Sequence, residues 1–157
     1  MSRKRPRLQS VRGKRPIDKD LIVVNQTTTT SVTTTALKTT TFPCTVVGIR
    51  WVISIQSIVA SIQLLSWAIV ITRDGDSVNT PSQSNAASFY QPEQDVLMFG
   101  TTHLSDNTFA TGTIMNFEGT TKTMRKLKAG DVLNFITINS DANGASLDAI
   151  IQFFCKS

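Results

Sequence analysis

The sequence predicts an all-β protein, and three observations carry that expectation. Threonine, valine and isoleucine dominate after residue 20 while strong helix formers are scarce, a balance that favours extended backbone. Val47, Ile49, Trp51, Ile53 and Ile55 alternate with Gly48, Arg50, Val52, Ser54 and Gln56, the period of a strand with one buried face. Clusters of Gly, Asn, Asp, Ser and Pro cut the rest into short apolar segments, as the turns of a sheet protein do.

Ahead of these segments stands a different kind of chain. Residues 1–20 hold Arg3, Lys4, Arg5, Arg7, Arg12, Lys14, Arg15 and Lys19 against Asp18 and Asp20, eight positive against two negative. That leaves +6 in the arm when the whole chain carries +5, so residues 21–157 sum to −1. With no aromatic residue and only isolated Leu8, Val11 and Ile17, the arm cannot bury enough apolar surface to offset its ordering entropy, and it is expected to be disordered alone. Dense, mobile cationic charge suits a polyanion, because each neutralised phosphate releases counterions without regard to base sequence. Nucleic acid is the expected partner, with Arg3, Lys4, Arg5, Arg7, Arg12, Lys14 and Arg15 as its binding residues. The clusters Arg3-Lys4-Arg5-Pro6-Arg7 and Lys14-Arg15-Pro16 also fit a nuclear-localisation patch. No apolar core follows the charges before Leu21, so a secretory signal is not expected.

The remaining residues, 21–157, suffice for one domain with a real core. Leu21–Val24 is a short apolar run, and Gln26–Thr41 reads as one long threonine-rich strand half in water. A mucin-like stalk is the compositional rival, but it would carry interspersed proline and a secretory signal. The alternating strand follows Pro43. Ser57–Gln63 reads as a short helix or loop, and Leu64–Thr72 as a buried strand. Trp51–Thr72 carries no charge and is bracketed by Arg50 and Arg73, which resembles a membrane span. Ser54, Gln56, Ser57, Ser61, Gln63 and Ser66 dilute it and the period of two argues against it, so no span is expected.

Residues 73–94 form a long polar loop, a candidate for the surface that meets the outside. Asp95–Gly100 and Phe109–Phe117 read as strands. Thr121–Lys128, with Met124 among Lys122, Lys126 and Lys128, reads as a further edge or outward strand, since lysine discourages unwanted pairing. Ala129-Gly130-Asp131 turns into Val132–Asn139, and a turn at 140–144 leads to a last strand with Leu147, Ala149, Ile151, Phe153 and Cys155 on one face. The count is about eight strands, which points to a two-sheet sandwich or jelly roll.

Chemistry-bearing residues are few. His103 is the only histidine and falls at a strand end, where an exposed side chain is the ordinary reading; there is no Gly-rich phosphate loop and no metal-knuckle spacing. Asp74 with Asp76, and Glu93 with Asp95, could hold a hard cation only with ligands from a neighbouring copy, and solvated loop charge is the simpler explanation. Cys44 and Cys155 lie in apolar runs and read as small buried hydrophobes, with a bridge between them as the alternative. Trp51 and Trp67 read as core residues, with stacking on bases as the alternative. No catalysis, metal or cofactor is expected.

A basic arm of the form RKRPR…GKRP, a threonine-rich first strand, an alternating strand containing GIRWVISI and a late Lys-Leu-Lys-Ala-Gly-Asp turn into an aromatic-bearing strand together resemble the small capsid proteins of circular Rep-encoding single-stranded DNA viruses (CRESS-DNA viruses). The resemblance covers essentially the whole chain and rests on the order of its parts. It implies an eight-stranded jelly-roll sandwich with a disordered basic N-terminal arm, divided as arm 1–20 and shell domain 21–157. It further implies self-assembly into an icosahedral shell, on the order of 60 copies in the simplest case, with arms inward on packaged single-stranded DNA. A host nuclear import receptor, the nucleus during assembly and the virion as destination follow from the same resemblance. Lys38 or Arg50 would join the inner surface if their faces point that way. The satellite RNA virus coat proteins share arm and fold. A non-viral nucleic-acid-binding β-sandwich that forms a small oligomer is the alternative from another class, and a small membrane protein built on Trp51–Thr72 is a third.

Overall fold

The computed structural model describes residues 16–57, 63–78, 95–104, 114–142 and 144–157. Eight strands fill it: β1 (Ile17–Thr28), β2 (Thr33–Thr39), β3 (Cys44–Ser57), β4 (Gln63–Thr72), β5 (Asp95–Leu104), β6 (Ile114–Leu127), β7 (Val132–Asn139) and β8 (Ala145–Lys156). They form two four-stranded sheets, β1-β8-β3-β6 and β2-β7-β4-β5, with every pairing antiparallel. Chain neighbours such as β1 and β2 lie in different sheets while first and last strands pair. That order is the eight-stranded jelly roll.

The period-two strands behave as their sequences require. In β8, Leu147, Ala149, Ile151, Phe153 and Cys155 are buried while the intervening residues are exposed or half-buried. In β3, Ile49, Ile53 and Ile55 are buried with them, but a bulge between Val46 and Gly48 puts Val46 into the core and leaves Val47 half-buried. The second sheet is different: β7 is buried almost throughout, and Ala68, Val70, Ile136 and Ile138 form a second cluster on its far side, covered by Val32, Val78 and Val96. Continuous apolar strands such as Leu64–Ile71 are therefore buried on both faces, while alternate residues of β1-β8-β3-β6 stay exposed on its outer face.

Three strand boundaries depart from the sequence expectation. Ile17–Asp20, placed in the arm by charge, belong to β1, where they pair with Phe153–Lys156 of β8; charged residues are ordinary on such an edge strand. The threonine-rich stretch is two strands in different sheets, broken at 29–32, where the Ser31 N–H donates to Thr29 Oγ1 at 3.2 Å. A hydroxyl that satisfies a turn as readily as it decorates a strand hides such a break. Finally, Phe117 and Thr121–Leu127 share the single strand β6, an edge strand as its lysines suggested, while 109–113 lie outside the described residues. Trp51–Thr72 runs through β3 and β4 in different sheets, with 58–62 outside the described residues. No helix is long and apolar enough to cross a membrane among the described residues.

The two tryptophans meet in the core. Their ring centroids lie 4.8 Å apart at an interplanar angle of 59°, and each lies over a glycine of the neighbouring strand. Trp51 pairs with Gly119 and Trp67 with Gly100. A Cβ at Gly119 would sit 2.6 Å from the Trp51 ring, and one at Gly100 2.5 Å from the Trp67 ring. Glycine at both places is what lets the indoles lie flat on the sheets. Stacking of Trp51 or Trp67 on bases gives way to this packing.

Polar ties close the sandwich at its side. Gln26 donates to Thr137 Oγ1 at 2.6 Å and accepts from Thr35 at 2.8 Å, joining β1 to β7 and β2, and Asn139 donates to Thr28 Oγ1 at 3.2 Å. At one end, buried Asp131 (1% exposed) accepts from the Lys128 N–H at 2.8 Å, Arg73 Nη1 at 2.6 Å and the Asp74 N–H at 3.3 Å. Burial pushes its carboxyl up, but these three donors and the Arg73 charge outweigh it and hold the pKa below the ordinary value. Gly130 precedes it at φ +90°, a turn conformation that glycine adopts without strain.

Candidate nucleic-acid interface

The register of the β1-β8-β3-β6 sheet fixes which side chains share its outer face. Ile17, Lys156, Thr45 and Lys126 form the row nearest the arm. Lys19, Phe154, Gly48 and Lys122 form the next, and Leu21, Gln152, Arg50 and Thr120 the third. Val23, Ile150, Val52 and Glu118 follow, then Asn25, Asp148, Ser54 and Asn116.

The charge on this face is graded. All five cations, Lys19, Arg50, Lys122, Lys126 and Lys156, lie in the three rows nearest the arm and are exposed; the two acids, Glu118 and Asp148, lie beyond them. Asp148 is already engaged, accepting from Asn25 Nδ2 at 2.6 Å. Among the described residues none of the five cations makes an ion pair. Arg3, Lys4, Arg5, Arg7, Arg12, Lys14 and Arg15 lie outside the described residues, but the chain enters the sheet at Ile17, in the row holding Lys126 and Lys156. A positive field therefore continues from the arm onto the folded domain.

The two further candidates from sequence separate. Arg50 is exposed on this face. Lys38 points elsewhere, half-buried on β2 and ion-paired with Asp20. Burial lowers its pKa, but the hydrogen bond and charge of Asp20 more than compensate and hold it above the ordinary lysine value. Lys19, Lys122, Lys126 and Lys156 were not singled out as binding residues. Their facing depends on strand pairings over long sequence separations, which no local pattern reveals.

The remaining chemistry-bearing residues are scattered. Cys155 is buried and Cys44 half-buried, both as free thiols in contact; burial and the neighbouring Cys44 push the Cys155 thiol up to about 11. Asp74 and Asp76 are exposed, Glu93 and the loop residues 79–94 lie outside the described residues, and His103 and Asp95 belong to β5. Among the described residues no three potential metal ligands come together.

Strand order and register define the class: a jelly-roll β-sandwich with a basic segment ahead of β1 in the sequence and five exposed cations on one sheet face. No family model and no curated protein sequence matches the chain. Among solved structures it is similar to the Eiger TNF of S. frugiperda, at 13% identity and a TM-score of 0.45 over 89% of this chain and 93% of that one. It is also similar to a structure of Desmodium yellow mottle tymovirus, at 10% identity and a TM-score of 0.35 over 97% and 95% of the two chains. The fold assignment rests on the strand order itself.

Proposed function

We propose that this chain is a viral capsid subunit that self-assembles into a closed icosahedral shell and packages a single-stranded genome against its basic arm and the outer face of β1-β8-β3-β6. The observation that carries the reading is the continuity of charge from the seven basic residues of 1–15 to the five exposed cations on that face of a jelly roll. The opposite sheet, whose central strands are buried on both sides, offers no comparable charged face among the described residues.

In this reading the arm neutralises phosphates without base preference, as a coat that must accept every stretch of its genome requires. The sequence resemblance favours single-stranded DNA as cargo, assembly in the host nucleus and use of the arm by an import receptor. The virion is the protein's destination. No catalytic step or cofactor enters.

Light scattering with absorbance at 260 and 280 nm tests the proposal. Full-length protein is expected as a megadalton-scale particle with excess 260 nm absorbance. Deletion of residues 1–15, which spares β1, should retain the particle and lose the nucleic acid. A monomer or small oligomer under all conditions overturns the shell and favours a small-oligomer nucleic-acid-binding module.

A further inference from the structure

The outer face of β1-β8-β3-β6 is more apolar than phosphate binding alone requires. Leu21 is 63% exposed, Val23 59% and Ile150 44%, adjacent across β1 and β8. Beside them a half-open cavity of about 140 Å³ is lined by Leu21, Arg50, Trp51, Val52, Ile150 and Gln152. It lies where the cationic rows end and the apolar row begins. Neither the Arg50 nor the Gln152 side chain makes a hydrogen bond within the described residues.

We infer that this cavity is a site for one unpaired nucleobase of the packaged strand, a reading that rests on the proposed nucleic-acid interface and gives it a base-contacting element. A cavity near 150 Å³ accommodates a benzene-sized ring, so the volume suits a pyrimidine. Leu21, Val52 and Ile150 supply an apolar floor. The Arg50 guanidinium offers a planar cation for stacking, and the Gln152 amide offers both a donor and an acceptor to a base edge. Lys19 and Lys122 lie one row nearer the arm, in position to hold the flanking phosphates. A duplex turns its bases inward and cannot use the floor, so the site selects single strands. Charge complementarity identifies the occupant, because an apolar strip bordered by unpaired cations suits a ligand with both anionic and apolar parts.

The test uses full-length protein dissociated to subunits and freed of nucleic acid, with two fluorescent probes of equal length, oligothymidylate and the corresponding abasic phosphate chain, followed by anisotropy at one salt concentration. Oligothymidylate should bind about tenfold more tightly. Ile150→Thr, a β-branched change at a partly exposed position, should erase most of that preference and leave abasic binding unchanged, and Arg50→Lys, which keeps the charge, should lower the ratio between the two probes. In the unmodified protein, photocrosslinking of 4-thiothymidine oligonucleotides should map to peptides containing Leu21, Val52 or Ile150. Equal affinity for both probes, or crosslinks confined to residues 1–15, overturns the base site while leaving the capsid reading intact. A change in particle mass for Ile150→Thr without a change in oligonucleotide preference assigns the patch to a second copy of the chain and likewise overturns it. Failure of both probes to bind strikes the underlying interface as well.

Discussion

Replacing Asp131 by asparagine removes one charge from the end of the sandwich and nothing else of consequence in volume. The carboxylate is 1% exposed and serves three donors: Arg73 at 2.6 Å, the Lys128 N–H at 2.8 Å and the Asp74 N–H at 3.3 Å. An asparagine oriented to keep the first two points its own NH2 at the third, leaving a buried donor facing a donor. Turning a charge-assisted bond into a neutral one costs about 1–2 kcal/mol, and the orphaned Asp74 N–H about 1–2 more. Arg73 is one-third exposed and recovers water, which keeps the total below the cost of breaking a fully buried pair. Asp131→Asn should therefore cost about 3 kcal/mol near pH 7, read by urea unfolding of dissociated subunits from the fluorescence of Trp51 and Trp67.

The pH dependence gives a second readout of the same site. The Asp131 carboxyl titrates lower in the folded chain than in the unfolded one. Its stabilisation is thus complete above the ordinary carboxylate value of about 4 and is lost as pH falls through the lowered folded value. The gap between wild type and Asp131→Asn should shrink over that window. A cost under about 0.5 kcal/mol near neutrality, or a gap that ignores pH, refutes the account of this clasp.

Further outcomes follow from the core and the charged face. Gly119→Ala and Gly100→Ala each drive a methyl into an indole and should cost about 1–3 kcal/mol, and unchanged urea midpoints would mean the tryptophans are free to move aside. Deleting residues 1–15 removes seven cations and should flatten the slope of log affinity for single-stranded oligonucleotide against log salt by about 5, while an unchanged slope would exclude the arm from phosphate contact. With its pKa near 11, Cys155 presents about one thiolate in a thousand at pH 8, so alkylation of dissociated subunits should be fast at Cys44 and slow at Cys155; equal rates would contradict the burial.

Local pattern made the sandwich legible where one face of a strand is wet. Phe153 and Cys155 could be placed on the core face of β8 because Asp148, Gln152 and Lys156 lie in the opposite phase, and Lys122 and Lys126 marked β6 as an edge. The break at 29–32 was not legible, since threonine serves a turn and a strand alike. Neither was the reach of β1 back to Ile17, because Asp18, Lys19 and Asp20 resemble an arm until their pairing with β8 is known. The same limit applies to the face around Arg50. Its charge was visible, but its neighbours Gln152 and Lys19 come from strands more than a hundred residues apart in the chain. The available signals were Ile150 and Phe154, apolar residues out of phase on the polar side of an alternating strand.

The orientation of the subunit within an assembled particle tests the central claim most directly. A cryo-electron microscopy reconstruction of particles from full-length protein should show a closed shell with β1-β8-β3-β6 on its inner wall and nucleic-acid density against Lys19, Arg50, Lys122, Lys126 and Lys156. A shell with that face outward and the cargo against the other sheet, or no shell at all, would contradict it.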